Sequence, residues 1–287
     1  MSVWECRHEH EHDLMKYLKL TISTTILSIV VLLCIFFLSN HNSHAISLKQ
    51  LLIKSKIPEI KFKEMTKYPH HQTNFTEGIQ LDGDAYYESS GLYRVSKLQK
   101  IELRSLKVIK EYKLPDQYFA EGLTFLNDKI YQLTYNEKVG FIYDKNTFKL
   151  LDTFPINSQG WGLTNDGERL IMSNGTSKLS FINLHNFKVE KTITVSIKKN
   201  DIKHLNELDY IHGKIFANVW MSSIILVISP VDGAVIGWLD IESLLPTHCS
   251  HMICVANGIF HDDKLNSIYV TGKYWPYIYN ILLLNNV

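Results

Sequence analysis

Beyond residue 63 the chain reads as short apolar runs broken by polar turns, with no helical period to compete. Five runs share one character: residues 85–89 (AYYES), 129–133 (KIYQL), 169–173 (RLIMS), 214–218 (KIFAN) and 267–271 (SIYVT). Each is rich in β-branched or aromatic side chains, as a strand requires. Each follows a turn, among them Asp82-Gly83, Asn127-Asp128, Asp166-Gly167 and His212-Gly213, with Asp263 before the last. That combination predicts hairpins. Further apolar strands are expected at residues 140–143, 179–182, 224–227 and 277–279, and amphipathic helix only near residues 48–53.

A second unit recurs ahead of each hairpin. It reads Glu77-Gly78-Ile79, Glu121-Gly122-Leu123, Trp161-Gly162-Leu163, Asn206-Glu207-Leu208 and Asn257-Gly258-Ile259. Successive copies lie about 40–50 residues apart, the length of a four-stranded propeller blade. Five such repeats without helices predict an all-β, five-bladed β-propeller over residues 63–287. An open sheet of about twenty strands is implausible, whereas a closed ring also shields the strand edges.

The start of the chain follows a different pattern. From Leu20 to Ser39 no residue is charged, and Ile, Leu, Val and Phe dominate. At about 1.5 Å per residue this run spans about 30 Å, a bilayer's hydrocarbon core. The expectation is a single transmembrane signal anchor at 20–39, a polar His-rich tail at 1–19 and a stem at 40–62. Cleavage after Ser43-His44-Ala45 is the alternative. Lysines on both sides leave the orientation unsettled by charge. The larger domain is expected on the lumenal side of the secretory pathway, with the short tail in the cytosol.

Composition changes this picture little. The net charge is only +1, which argues against a nucleic-acid partner. Of the four cysteines, Cys6 and Cys34 fall in the tail and the span. Cys249 and Cys254 either pair in an oxidising lumen or remain ordinary thiols. The spacing of His248, Cys249, His251 and Cys254 matches no established zinc pattern, so no metal ligands are assigned. Sequons at Asn74 and Asn174 would make a lumenal domain a glycoprotein, although a glycan on Asn74 would obstruct the site considered next.

The repeat gathers unusual residues in equivalent slots. Glu77 and Glu121 share one, each preceded two residues earlier by Phe75 and Phe119, and Asn206 marks blade four. A second set follows the next strand: Tyr135, Asn174, Trp220 and Lys273. Equivalent blades would bring both sets to one mouth of the channel, forming an aromatic box with Trp161 that suits a small ligand bearing an amide and an amine. Spacing alone leaves a second reading open, in which the Glu-Gly pairs are turn devices and the tryptophans pack blades.

The ordered motifs resemble those of the plant and bacterial glutaminyl cyclases. Tyr68-Pro69-His70, Phe75-Thr76-Glu77-Gly78 and Tyr87-Glu88-Ser89-Ser90-Gly91-Leu92-Tyr93 open the likeness. It continues through Phe119-Ala120-Glu121-Gly122-Leu123-Thr124, Gly160-Trp161-Gly162-Leu163, Leu205-Asn206-Glu207-Leu208 and Ala217-Asn218-Val219-Trp220, and closes with Thr271-Gly272-Lys273-Tyr274-Trp275-Pro276.

The resemblance implies an acyltransferase that converts the N-terminal glutamine of peptides or proteins to pyroglutamate. The α-amine attacks its own side-chain amide, and ammonia leaves. It implies Glu121 as proton shuttle, Glu77 beside it on the ammonium group, and Lys273 on the amide oxygen. Asn206 would hold the substrate, between walls of Phe75, Phe119, Tyr135, Trp161 and Trp220. Tyr135 stands where the family often has tryptophan. Glu77 stands where plant members have glutamine and bacterial members glutamate. No cofactor is required on this reading, a structural ion on the axis is left open, and a monomer is expected. The rivals are a non-catalytic peptide- or protein-binding propeller and a calcium-dependent propeller hydrolase.

Overall fold

The computed structural model describes residues 48–248, 253–262 and 267–284. The expected tail and membrane span lie outside the described residues, as do Cys6, Cys34 and Cys249. Among the described residues no helix is long and apolar enough to cross a membrane.

Strand β1 (Phe62–Pro69) comes first. Blade one follows with β2 (Thr76–Asp82), β3 (Ala85–Ser90), β4 (Lys97–Glu102) and β5 (Val108–Lys113), and blade two with β6 (Ala120–Leu126), β7 (Lys129–Thr134), β8 (Val139–Asp144) and β9 (Leu150–Pro155). Blade three holds β10 (Leu163–Asn165), β11 (Arg169–Met172), β12 (Lys178–Asn183) and β13 (Val189–Thr194), and a small hairpin β14 (Ser196–Ile197) and β15 (Asn200–Asp201) leads on. Blade four holds β16 (Leu205–Ile211), β17 (Lys214–Val219), β18 (Ile224–Ile228) and β19 (Val235–Asp240). Blade five takes β20 (Ala256–Asp262), β21 (Ser267–Gly272) and β22 (Tyr277–Leu283). All five blades are four-stranded antiparallel sheets, and β1 supplies the outer strand of the fifth, pairing with β22. The ring is thus fastened by the start of the domain against its end. The innermost strands β2, β6, β10, β16 and β20 touch one another in a closed circle around the axis.

The apolar core lies between blade faces. Tyr87 and Leu98 of blade one meet Leu123, Ile130 and Phe141 of blade two, and blade three meets blade four through Ile171, Phe181, Leu208 and Leu226. The outer strands are largely solvated, with β5 and β9 exposed at most positions.

Residues 48–62 are not a free stem. A short helix at 48–54 sinks Leu48 and Leu52 into the core shared by blades three and four. Trp238 then fixes the following turn: its Nε1 donates to the Ile57 carbonyl at 3.1 Å, and its own carbonyl accepts from the Ile60 amide at 2.8 Å. From Leu48 onward the segment expected as stem packs against the propeller, because two leucines and a tryptophan bury it.

Candidate active site

The repeated signature falls on a repeated backbone irregularity. On β2, β6, β16 and β20 the ladder slips between Thr76 and Gly78, Ala120 and Leu123, Leu205 and Leu208, and Ala256 and Ile259. Each slip is a bulge, which breaks the strict alternation of a strand and re-aims a side chain. Glu77, Glu121, Asn206 and Asn257 sit on these bulges at one end of the channel. Glycines of the repeat are required by crowding. A Cβ on Gly122 would lie 2.5 Å from the Leu163 nitrogen, and one on Gly162 would lie 2.0 Å from the Asn206 carbonyl. Side chains of second strands lock the arrangement. Ser89 Oγ donates to the Glu121 carbonyl at 2.5 Å, and Ser173 Oγ to the Asn206 carbonyl at 2.7 Å.

The result is a cavity of about 320 Å³ lined by Phe75, Glu77, Phe119, Glu121, Tyr135, Trp161, Asn206, Trp220, Ile253 and Lys273. All nine residues singled out from sequence line it. Asn174 does not: its side chain is spent on Ser158, in the loop before Trp161, and on Thr176 in its own turn. Ile253 is an addition that sequence reasoning missed.

At its floor Lys273 Nζ donates to Glu77 Oε1 at 2.6 Å and lies 4.1 Å from the centre of the Phe75 ring. Asn257 Nδ2 donates to Glu77 Oε2 at 3.1 Å and to the Thr76 carbonyl at 2.9 Å. Glu121 hydrogen-bonds the same carboxylate. Burial, then the charge of Glu77, pushes the Glu121 carboxyl well above the ordinary carboxylate range, and Lys273 only partly opposes this. Burial raises Glu77 as well, but the facing ammonium works against it. Of the two, Glu121 is the one whose surroundings favour the protonated form more strongly. Asn206 Oδ1, buried at the cavity, accepts no bond within the protein.

The walls are aromatic. Phe75 and Phe119 meet edge-to-face at 6.2 Å, Phe119 leans on Tyr135 at 5.6 Å, and Trp161 crosses Trp220 at 5.8 Å. Phe119, Tyr135, Trp161 and Trp220 are each half-buried and form the mouth.

Glu207 occupies the slot that is glycine in the other four repeats. Its side chain crosses the axis to the Ile79 amide at 3.3 Å. Burial and the charge of Asp209 push this carboxyl well above the usual range.

Two groups named from the sequence also take their places here. Asn74 is fully buried, and its Nδ2 donates to Glu88 Oε2 at 2.7 Å and Gln99 Oε1 at 3.0 Å. A glycan on that nitrogen is incompatible with the fold, so this sequon is not a modification site. Cys254 is disulfide-bonded and offers no thiolate to a metal. Among the described residues no three histidine, cysteine or carboxylate side chains converge on one point as a metal ion would need.

A buried pair of coupled carboxylates, an ammonium group and an aromatic box at the mouth of a five-bladed propeller describe a site for proton transfer on a small polar group. The chain belongs to the glutamine cyclotransferase family, whose model matches residues 30–283. It is 35% identical over 254 residues to a glutaminyl-peptide cyclotransferase of Arabidopsis thaliana, covering 87% of this chain and 79% of that one. The crystal structure of Myxococcus xanthus glutaminyl cyclase superposes with a TM-score of 0.74 at 28% identity, over 79% of this chain and 97% of that one.

Proposed function

We propose that this protein is a glutaminyl-peptide cyclotransferase, releasing ammonia from N-terminal glutamine as the ring closes. One observation carries the reading: Glu121, buried against Glu77 and pushed by burial toward its protonated form, opens onto a cavity of about 320 Å³. The free α-amine has a pKa of about 8 and arrives mostly as ammonium. An ammonium facing a carboxylate and an amine facing a carboxylic acid hold the same number of protons. A carboxyl whose affinity for protons has been raised toward that of the amine moves easily between the two. Once the substrate amine is free, Glu121 gives its proton to the departing amide nitrogen and takes one back from the nitrogen that attacked, so ammonia leaves and the acid is restored.

The other groups have separate tasks. Lys273, aimed by Glu77 and Phe75, opposes the negative charge that grows on the amide oxygen. The unpartnered Asn206 Oδ1 accepts an N–H of the substrate. The aromatic walls select the one rotamer of glutamine that brings amine and amide together, a gain in effective concentration rather than in chemistry. These groups supply both proton transfer and charge stabilisation, so the reaction as drawn calls on no cofactor. The calcium-dependent reading suffers from Lys273: an ammonium 2.6 Å from Glu77 occupies the position a cation would take.

The membrane anchor at 20–39, a lumenal catalytic domain and a monomeric state belong to this proposal as well. The uncharged run from Leu20 to Ser39 supports the anchor. The test of function is mass spectrometry of short peptides with Gln, Asn or N-acetyl-Gln first. Loss of ammonia from the Gln peptide alone supports the cyclase. Tight binding of all three without conversion would instead establish a peptide-binding propeller.

A further inference from the structure

The cyclase reading uses Glu77, Glu121 and Lys273, but leaves unexplained a second buried carboxylate beneath them. Glu88, on β3, is fully buried and accepts from three groups. His70 Nε2 lies 3.1 Å from its Oε1 and 3.2 Å from its Oε2, Thr76 Oγ1 donates at 2.7 Å, and Asn74 Nδ2 donates at 2.7 Å. His70 Nδ1 in turn donates to the Trp275 carbonyl at 2.9 Å, and the His70 amide to the Pro276 carbonyl at 2.9 Å. The Tyr274 amide donates to the Asn74 carbonyl at 2.9 Å.

These contacts converge on two short segments. Asn74 and Thr76 immediately precede Glu77, whereas Trp275 and Tyr274 immediately follow Lys273. The carboxylate of Glu88 is therefore the common anchor of the two strands that present the Glu77–Lys273 contact, which joins residues 196 apart in sequence. Backbone conformation adds a separate sign of constraint. Tyr274 has φ 61, a left-handed conformation uncommon for an aromatic residue, in the turn that carries Lys273. Such a conformation persists where surrounding bonds over-determine it.

We propose that Glu88, acting through His70, Asn74 and Thr76, is the positioning residue that sets the distance between Lys273 and Glu77. It touches no reacting atom. Its loss leaves the cavity and its walls intact but lets the ammonium and the carboxylate drift apart, so the effect falls on turnover and not on substrate capture. The proposal rests on the cyclase reading for its kinetic consequence, although not for its geometry.

The experiment pairs kinetics with crystallography on three variants, Glu88→Gln, Thr76→Val and Thr76→Ser. Displacement of about 1 Å at a reacting group costs on the order of a hundredfold, so kcat of Glu88→Gln is expected to fall by about 30- to 100-fold. KM should stay within about threefold of the wild type, because the binding walls are untouched. Thr76→Val, which removes one donor to Glu88, is expected to lose about tenfold in kcat, and Thr76→Ser to restore it, since only Ser keeps the hydroxyl. In crystals of the affected variants the Lys273 Nζ to Glu77 Oε1 separation should exceed about 3.5 Å, beyond hydrogen-bonding reach. Folded variants that retain both kcat and the short contact would overturn the proposal. A failure of Glu88→Gln to fold leaves the threonine pair to decide it. Wild-type protein inert toward Gln peptides would remove the cyclase reading, and the crystallographic distance would still decide the positioning role.

Discussion

Glu88 and Glu121 lie on neighbouring strands of the first two blades, and both are buried, yet their surroundings push them in opposite directions. Burial opposes ionisation in each. At Glu88 it is outweighed by the facing His70 imidazolium and by donors from Thr76 and Asn74, which hold the carboxyl below its ordinary range. Although burial alone would lower His70, Glu88 raises it in return. At Glu121 the nearest polar neighbour is another carboxylate, so burial and Coulomb repulsion add. The lesson is that depth sets the cost of a charge, while the partner decides whether the charge is kept. A carboxylate with three donors is a bolt. One with a carboxylate for a neighbour and an open cavity in front holds a proton it can give away.

The strongest way to break this contrast is Glu121→Gln. Loss of a positioned acid–base group costs on the order of 10²–10⁴-fold, and kcat/KM for a Gln peptide is expected to fall by about 10³. The same change should stabilise the fold. An acid whose folded pKa is raised contributes fully below its unfolded pKa, and that contribution is lost as pH rises toward the folded value. The thermal midpoint of Glu121→Gln should therefore exceed that of the wild type by more at pH 8 than at pH 5. A variant both inactive and less stable at every pH would contradict the assignment. Lys273→Met comes next, with about 10²-fold loss expected in kcat because charge on the amide oxygen goes unopposed.

Gly162→Ala tests the backbone beneath Asn206. Its Cβ would meet the Asn206 carbonyl at 2.0 Å, an overpacking expected to cost about 1–3 kcal/mol in urea unfolding. Gly83→Ala meets nothing within 4 Å and serves as the control for crowding, although its positive φ of 64 adds a small strain of its own. Smallest in rate is Glu77→Gln, expected to lower kcat by no more than about tenfold, since the Gln amide oxygen still accepts from Lys273 and keeps it in place. Its signature is in pH. Removing the Glu77 charge lowers the affinity of Glu121 for protons, so the acid limb of the kcat/KM profile should move to lower pH. A limb that stays in place would separate the two carboxylates electrostatically.

The blades and the cavity were legible because the repeat is periodic in both pattern and function. Hairpin turns and inner-strand glycines recur at one spacing, and aligning them aligned Glu77 with Glu121 and Tyr135 with Trp220 and Lys273. What the sequence hid has physical reasons. Strand β1 closes the ring as an outer strand, and its residues are mostly exposed, so it carries no alternating apolar signal. Residues 48–62 looked like a linker because only a few side chains, Leu48, Leu52 and Ile60, are fully buried along it. The His70–Glu88 pair is invisible in spacing, since it joins the loop after β1 to a strand through the fold alone. Glu207 did leave a trace. It breaks the glycine slot of the repeat, a departure that marks a side chain filling the axis.

The most direct test of the central claim is infrared difference spectroscopy at pH 7 on wild type, Glu121→Gln and Glu88→Gln. The account predicts that the Glu121 difference contains a protonated carboxyl C=O band, and that the Glu88 difference contains only carboxylate bands. A carboxylate signature for Glu121, with no protonated band lost, would contradict it and remove the proton on which the proposed chemistry turns.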